Sequence, residues 1–170
     1  MTTHNSAIKQ ELTTLLPGLR RFAYSLTGSM PEADDLLQGT VERLLGREVP
    51  DNVGLDRWAF RVCRNLWIDE CRARKVRQQA AQQPELSDGQ VFDGERKTAG
   101  EVELGQVNTA MDRLPAEQRE IISLVAVQGM SYQEVSETLA IPKGTVMSRL
   151  ARARAALVTM LNSEPAGTST

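Results

Sequence analysis

With 170 residues this chain has room for one ordinary domain or two small ones, and it is 41% hydrophobic but only 4% aromatic. Such a composition builds a lean core and suits helices better than sheets, since Leu, Ala, Arg, Glu and Gln abound. A net charge of −2 and a pI near 5.5 exclude a uniformly basic nucleic-acid binder, so any such role must rest on where charges cluster.

The start, MTTHNSAIKQELTT, has no charged stretch followed by an apolar one, so no signal peptide is expected. No apolar run approaches the ~20 residues of a membrane helix. A soluble cytoplasmic protein without membrane insertion is the expectation. Cys63 and Cys71 lie eight residues apart in a helical pattern. That is too far for a disulfide and matches no metal-ligand spacing, so core packing in a reducing compartment is expected.

From Leu12 the apolar positions Leu15, Leu16, Leu19, Phe22, Ala23 and Leu26 form a helical stripe, ended by Gly28. Ser29 and Glu32 have the spacing of a capping box, with Pro31 tolerated in the first turn. The second stripe runs Ala33, Leu36, Leu37, Val41, Leu44 and Leu45. Gly46 to Gly54 reads as a loop, and a third helix opens near Leu55, burying Trp58, Val62 and Leu66 and reaching Arg77. Three amphipathic helices predict one bundle.

Gln78 to Glu101, with Pro84, glycines and several acids, reads as a flexible linker. Helical periodicity resumes at Val102, Val107, Ala110, Met111 and Leu114. Pro115 starts a helix through Ile121, Ile122, Leu124 and Val125, which Gly129 stops. Ser131 and Glu134 have a second capping-box spacing, and a short helix reaches Leu139. After Ala140-Ile141, Pro142 opens a final helix to about Leu161, and the tail SEPAGTST should fray.

SYQEVSETLAIPKGTVMSRLARARAAL thus has the outline of a helix-turn-helix, whose second helix enters the DNA major groove. On a helical wheel Val146, Leu150, Ala153 and Leu157 fall within about 60° and form the buried stripe. Thr145, Ser148, Arg149 and Arg152 share one exposed flank, while Lys143 and Arg154 lie on the other. Between Thr138 and Asn162 there are four basic residues and no acidic one. A merely solvated face usually mixes both signs, so this pattern favours phosphates and guanine edges.

In the first half Asp34, Asp35, Gln38 and Glu42 decorate the polar side of the second helix, a pattern that solvation alone also explains. From Arg57 to Arg77 the third helix carries Arg57, Arg61, Arg64, Arg72, Arg74, Lys75 and Arg77 against Asp69 and Glu70. It suits phosphate contact. Trp58 is assigned to the core, whereas Trp67 is open to stacking on unpaired bases.

The stretches LRRFAYSLTGSMPEADDLLQGTVERLL, WAFRVCRNLWIDECRARKVR and LPAEQREIISLVAVQGMSYQEVSETLAIPKGTVMSRLARARAAL together resemble the extracytoplasmic-function (ECF) group of bacterial sigma factors, from Leu12 to Leu161. The resemblance implies an all-α fold: a sigma-two-like domain (1–78), a linker (79–101) and a sigma-four-like domain (102–170). It implies that Asp34, Asp35, Gln38 and Glu42 dock on the largest-subunit clamp of core RNA polymerase, whose flap is a further partner. The loop Arg47 to Asp56, with Asn65 and Asp69 behind it, matches the site that captures a base of the promoter −10 element. Arg72, Arg74 and Lys75 match the basic stretch used in melting. Lys143, Thr145, Ser148, Arg149, Arg152 and Arg154 fall on the helix that reads the −35 element. Promoter DNA and an anti-sigma factor are the other implied partners, with no cofactor and no metal.

Three positions depart from the family pattern. Gly39 stands where a polar residue is usual, which predicts local weakening or close packing of the docking helix. Ala140 replaces the glycine common in the helix-turn-helix turn, and Met147 replaces a frequent basic residue. Competing readings are a sigma-like decoy that binds an anti-sigma factor without reading promoters, and a repressor using the second half alone. An enzyme is disfavoured: the lone histidine, His4, falls in a terminus expected to be disordered, and no phosphate loop or nucleophile–base pair is visible.

Overall fold

The structure, a computed structural model, describes residues 2–81 and 99–163, with side chains for 6–81 and 106–163. Every described element is a helix: α1 (Thr2–Thr27), α2 (Met30–Gly46), α3 (Leu55–Ala81), α4 (Ala99–Arg113), α5 (Ala116–Ile122), α6 (Tyr132–Leu139) and α7 (Lys143–Ser163). A π-helical turn, Ser123–Val127, extends α5. The expected linker falls mostly on 82–98, and the expected fraying tail begins at 164; both lie outside the described residues.

Helices α1, α2 and α3 form the expected bundle. Leu12, Leu19, Phe22, Ala23 and Leu26 of α1 are buried against Ala33 and Leu44 of α2 and Ala59, Phe60, Val62 and Cys63 of α3. Phe22 meets Phe60 edge to face, with ring centres 5.4 Å apart. The helix begins at Thr2, well before Leu12, so the terminus around His4 is helical rather than disordered. Pro17 sits inside α1. An interior proline costs about 3 kcal/mol through its missing N–H and the clash of its ring, and fully burying Leu19 and Phe22, at about 1.5–3 kcal/mol each, offsets it.

The two expected caps part ways. Ser131 accepts from the Glu134 amide at 3.1 Å and Glu134 accepts from the Ser131 amide, a complete capping box opening α6. Ser29 makes no such bond: its hydroxyl does not cap the helix and its amide donates to Thr27 Oγ1 at 3.4 Å, while the Glu32 carboxylate pairs with Arg74 of α3 at 2.7 Å. That expectation is corrected: both halves of the local box have gone to other partners or are unmade. Trp67, left open to base stacking, is buried in the core, and Trp58, assigned to the core, packs against it half-buried, with Arg61 over its ring.

Cys63 is fully buried and burial pushes its thiol up to about 12, so it stays protonated at neutral pH. Half-buried Cys71 is raised by the same cause, partly opposed by Arg74. Both are free thiols. Helix α2 is continuous through Gly39, and a Cβ there would meet Leu66 Cδ1 at an ordinary 3.6 Å, so close packing does not demand the glycine.

The second group of helices buries Met111, Leu114, Ile121 and Ile122 against Leu150 and Ala153 of α7. Leu124, Val135 and Val146 join the core formed by α1, α2 and α3, so one apolar cluster crosses from the first group to the second. No described helix is long and apolar enough to cross a membrane.

Candidate nucleic-acid interface

Helices α6 and α7 form the helix-turn-helix. Ala140 closes α6 in the left-handed region, at φ 55°, ψ 46°, the conformation a glycine would supply there. The turn is held by Ser136, whose hydroxyl donates to the Ile141 carbonyl at 2.5 Å and whose own carbonyl accepts from the Ile141 amide at 3.2 Å. Because an L side chain is strained in this region, Ala140→Gly is expected to raise stability by about 0.5–1 kcal/mol. Chemical denaturation checks it, and an unchanged or lowered midpoint would contradict the strain.

Val146, Leu150 and Ala153 are buried and Leu157 is half-buried, which turns the predicted reading face outward. Lys143, Ser148, Arg152 and Arg154 are exposed, and Thr145 is half-buried. Arg149 is the exception on its flank. It is drawn toward Glu117 of α5, at 3.8 Å, and is only 25% exposed. The helix start is one residue later than expected, with Pro142 as the residue that receives the Thr145 and Val146 amides.

On α3 the basic row splits in two. Its C-terminal part faces outward: Asn65, Asp69, Arg72 and Lys75 are exposed, while Arg74 pairs with Glu32 and Glu70, and Arg77 with Glu70. The loop before α3 exposes Arg47, Asp51 and Asn52, and Asp56 is exposed in the first turn of the helix. Its N-terminal part, Arg57, Arg61 and Arg64, is turned toward the second group. On α2 the four acidic and amide residues form one exposed face, with Asp34 paired to Arg20 at 3.1 Å, Gln38 donating to Glu42 at 3.3 Å and Asp35 exposed beside them.

The join between the groups carries polar residues that sequence reasoning missed. Glu120 of α5 is fully buried and accepts from Arg64 Nε at 2.5 Å and Nη2 at 3.1 Å. Burial raises the Glu120 carboxyl above its ordinary range, opposed by the Arg64 guanidinium. Buried Arg119 donates to Asp112 at 2.7 Å and to the Ser25 carbonyl at 3.0 Å, and lies over the Trp67 ring. Gly28, at φ 71°, leaves room for that pair: a Cβ would come within 3.2 Å of Asp112 Oδ1. Neither Arg119 nor Glu120 was singled out from the sequence. Their only signal was adjacency to Ile121 and Ile122 on a helix buried from both sides.

Comparison with known proteins agrees with this two-part layout. Residues 12–77 match the family described as Sigma-70 region 2, and residues 104–157 match Sigma-70, region 4. The ECF RNA polymerase sigma factor EcfG of Rhodopseudomonas palustris is 31% identical over 160 residues, covering 91% of this chain and 85% of that one. The sigma factor RpoE of Bartonella quintana, solved with the anti-sigma factor NepR, is 31% identical with a TM-score of 0.71, covering 92% of this chain and 98% of that one. The anti-anti-sigma factor PhyR of Bartonella quintana, solved with NepR, shares the fold alone: 19% identity and a TM-score of 0.61, over 90% of this chain and 50% of that one. With region 2 and region 4 in order, and a relative matched along most of its length, the chain belongs to the family of ECF RNA polymerase sigma factors, which are transcription initiation factors rather than enzymes.

Proposed function

We propose that this protein binds core RNA polymerase, recognises the −10 and −35 promoter elements and initiates transcription in the cytoplasm. The observation that carries the reading is the pair of basic helices, one in each group. Lys143, Ser148, Arg152 and Arg154 stand exposed on α7, and Asn65, Asp69, Arg72 and Lys75 on α3. Arg and Lys supply phosphate contacts and bidentate guanine recognition, and a pocket holding a flipped base needs hydrogen-bonding groups such as Asn65 to offset lost stacking. The working units run over 1–78 and 102–170, joined through 79–101. The solved RpoE–NepR complex supports control by an anti-sigma factor.

The acidic face of α2 is the proposed docking surface for the polymerase clamp, where opposite charge speeds encounter. Reversing Asp34 and Asp35 to Lys is expected to weaken core binding by about tenfold, since each change replaces attraction by repulsion at a rim. Titration of labelled core polymerase checks it. Binding within a factor of two of the unmodified chain would place the docking surface elsewhere.

The likeness to PhyR raises a second reading, a decoy that binds an anti-sigma factor without reading DNA. Such a protein has no need for two basic helices, and this chain has both. Sequence-specific run-off from promoter fragments separates the two, because a decoy gives none.

A further inference from the structure

We propose that Arg74 is a positioning residue: its bridge to Glu32 fixes the C-terminal half of α3 against the start of α2, while Arg72 and Lys75 meet the DNA. The inference rests on the sigma-factor reading above and divides the basic stretch Arg72, Arg74 and Lys75 into two roles. In sequence the three look alike. On an unbroken helix they do not, because successive residues turn by about 100°. Asn65, Asp69 and Arg72 are spaced i, i+4 and i+7, all exposed, and fall within about 60° of one another. Lys75 flanks that stripe, about 60° from Arg72. Arg74 lies about 180° from Asn65, on the line of Cys63 and Trp67, which are both buried. A side chain there points away from the strand whose base Asn65 would receive.

What Arg74 meets on that side is carboxylate. Its Nη2 donates to Glu32 Oε1 at 2.7 Å, and its Nε lies 3.4 Å from Glu70 Oε1, an oxygen that also accepts from Arg77 at 3.2 Å. Glu32 stands in the first turn of α2, where unpaired amides favour negative charge, and the Ser29 side chain leaves that end uncapped. Hydrogen bonding to Glu32 raises the Arg74 guanidinium further above its ordinary value, against the opposing effect of desolvation. A cation matched by two carboxylates has little net charge left to draw a phosphate. Arg72 and Lys75 pair with no carboxylate among the described residues.

Ile68 is the last buried residue of α3, and the helix runs on to Ala81 with only half-buried Cys71 packed against the core. Arg72 and Lys75 lie on that overhang. A guanidinium that bridges two helices within a network of charges limits its sway in a way an isolated exposed pair does not. Binding surfaces built on a helix depend on such supporting contacts for their aim.

The test uses preformed holoenzyme, with core polymerase saturated, on a promoter fragment that gives protein-dependent run-off. Arg72→Ala and Lys75→Ala should each flatten the log–log dependence of promoter binding on salt by about 0.7–0.9, the share of one phosphate contact. Arg74→Ala should leave that slope unchanged. It should still lower the yield of melted DNA about threefold, the scale of a half-exposed ion pair, read by permanganate oxidation of unpaired thymines. Arg74→Glu should lower the yield further. The charge swap Glu32→Arg with Arg74→Glu should bring it back, because the bridge is remade with its signs exchanged. A phosphate contact at Arg74 would stay lost in the swap.

A salt slope reduced by Arg74→Ala as much as by Arg72→Ala would overturn the proposal. So would full melting in Arg74→Ala and Arg74→Glu, or a swap that melts no better than Arg74→Glu alone. If no fragment gives protein-dependent run-off, the sigma-factor reading falls and the role of Arg74 in melting falls with it. Urea denaturation of Glu32→Arg, Arg74→Glu and the swap still reads the bridge itself: stability lost in each single variant and regained in the swap supports it, and equal loss in all three removes it.

Discussion

Phe22→Ala lowers the free energy of unfolding by about 3–5 kcal/mol, the cost of emptying a fully buried aromatic site. The core around it is lean: the whole chain has three phenylalanines and two tryptophans. Phe22 is fully buried on α1 and meets Phe60 of α3 edge to face, so its loss removes both apolar burial and an aromatic pair at the meeting of α1, α2 and α3. Domains of this kind carry about 5–15 kcal/mol in total, so a loss of this size brings the bundle close to unfolding at 37 °C. Urea denaturation reads it as a lower midpoint with unchanged slope. A loss below about 1 kcal/mol would mean that the bundle closes over the gap at almost no cost, contrary to the rigidity expected of a packed core.

The second large effect lies on α7. Arg152→Ala is expected to weaken binding of the holoenzyme to a −35 element by about 1–3 kcal/mol if the guanidinium contacts a base, with relaxed preference at that position. A phosphate contact would instead weaken all sequences alike and reduce the salt dependence of binding. Arg149→Ala should follow the same direction. In the free chain that side chain leans toward Glu117, so part of its contact must be surrendered before DNA is read, which makes its net effect the smaller of the two. Promoter affinity measured for both variants at two salt concentrations decides among these. Unchanged affinity in both would remove the pair from the reading face.

The helices were legible in sequence because burial on one side leaves a period. Leu19, Phe22 and Leu26 on α1, and Val146, Leu150 and Ala153 on α7, fall where the apolar stripes put them. The Ser131 cap was legible for a local reason: its partner is three residues away. Long-range choices were not. Nothing near Ser29 says that Glu32 pairs with Arg74, 42 residues on, instead of capping α2. Trp67 shows the same limit, since a tryptophan on a basic helix looks alike whether it meets a base or a buried arginine from α5. The π-helical turn at Ser123–Val127 has no proline or glycine to announce it.

The basic row of α3 is the most instructive case. Arg57, Arg61 and Arg64 were read as phosphate contacts alongside Arg72 and Lys75, because a lone helix carries no record of what its arginines face. Only the fold brings Glu120 and Glu137 to them, from 56 and 80 residues away. The proposed −10, −35 and docking residues were picked out by resemblance to the family together with charge clustering. What the structure contributes is the exposure of most of them, Thr145 and Arg149 being half-buried, and the division of α3 into an outward part and a part engaged by the second group.

The most direct measurement is run-off transcription from genomic promoter fragments by purified core RNA polymerase, with and without this protein. Transcripts that start at defined positions only when the protein is present, and that shrink with Arg152→Ala, are the predicted result. Binding to an anti-sigma factor with no core binding and no protein-dependent transcript from any fragment would contradict the account and leave the decoy reading in its place.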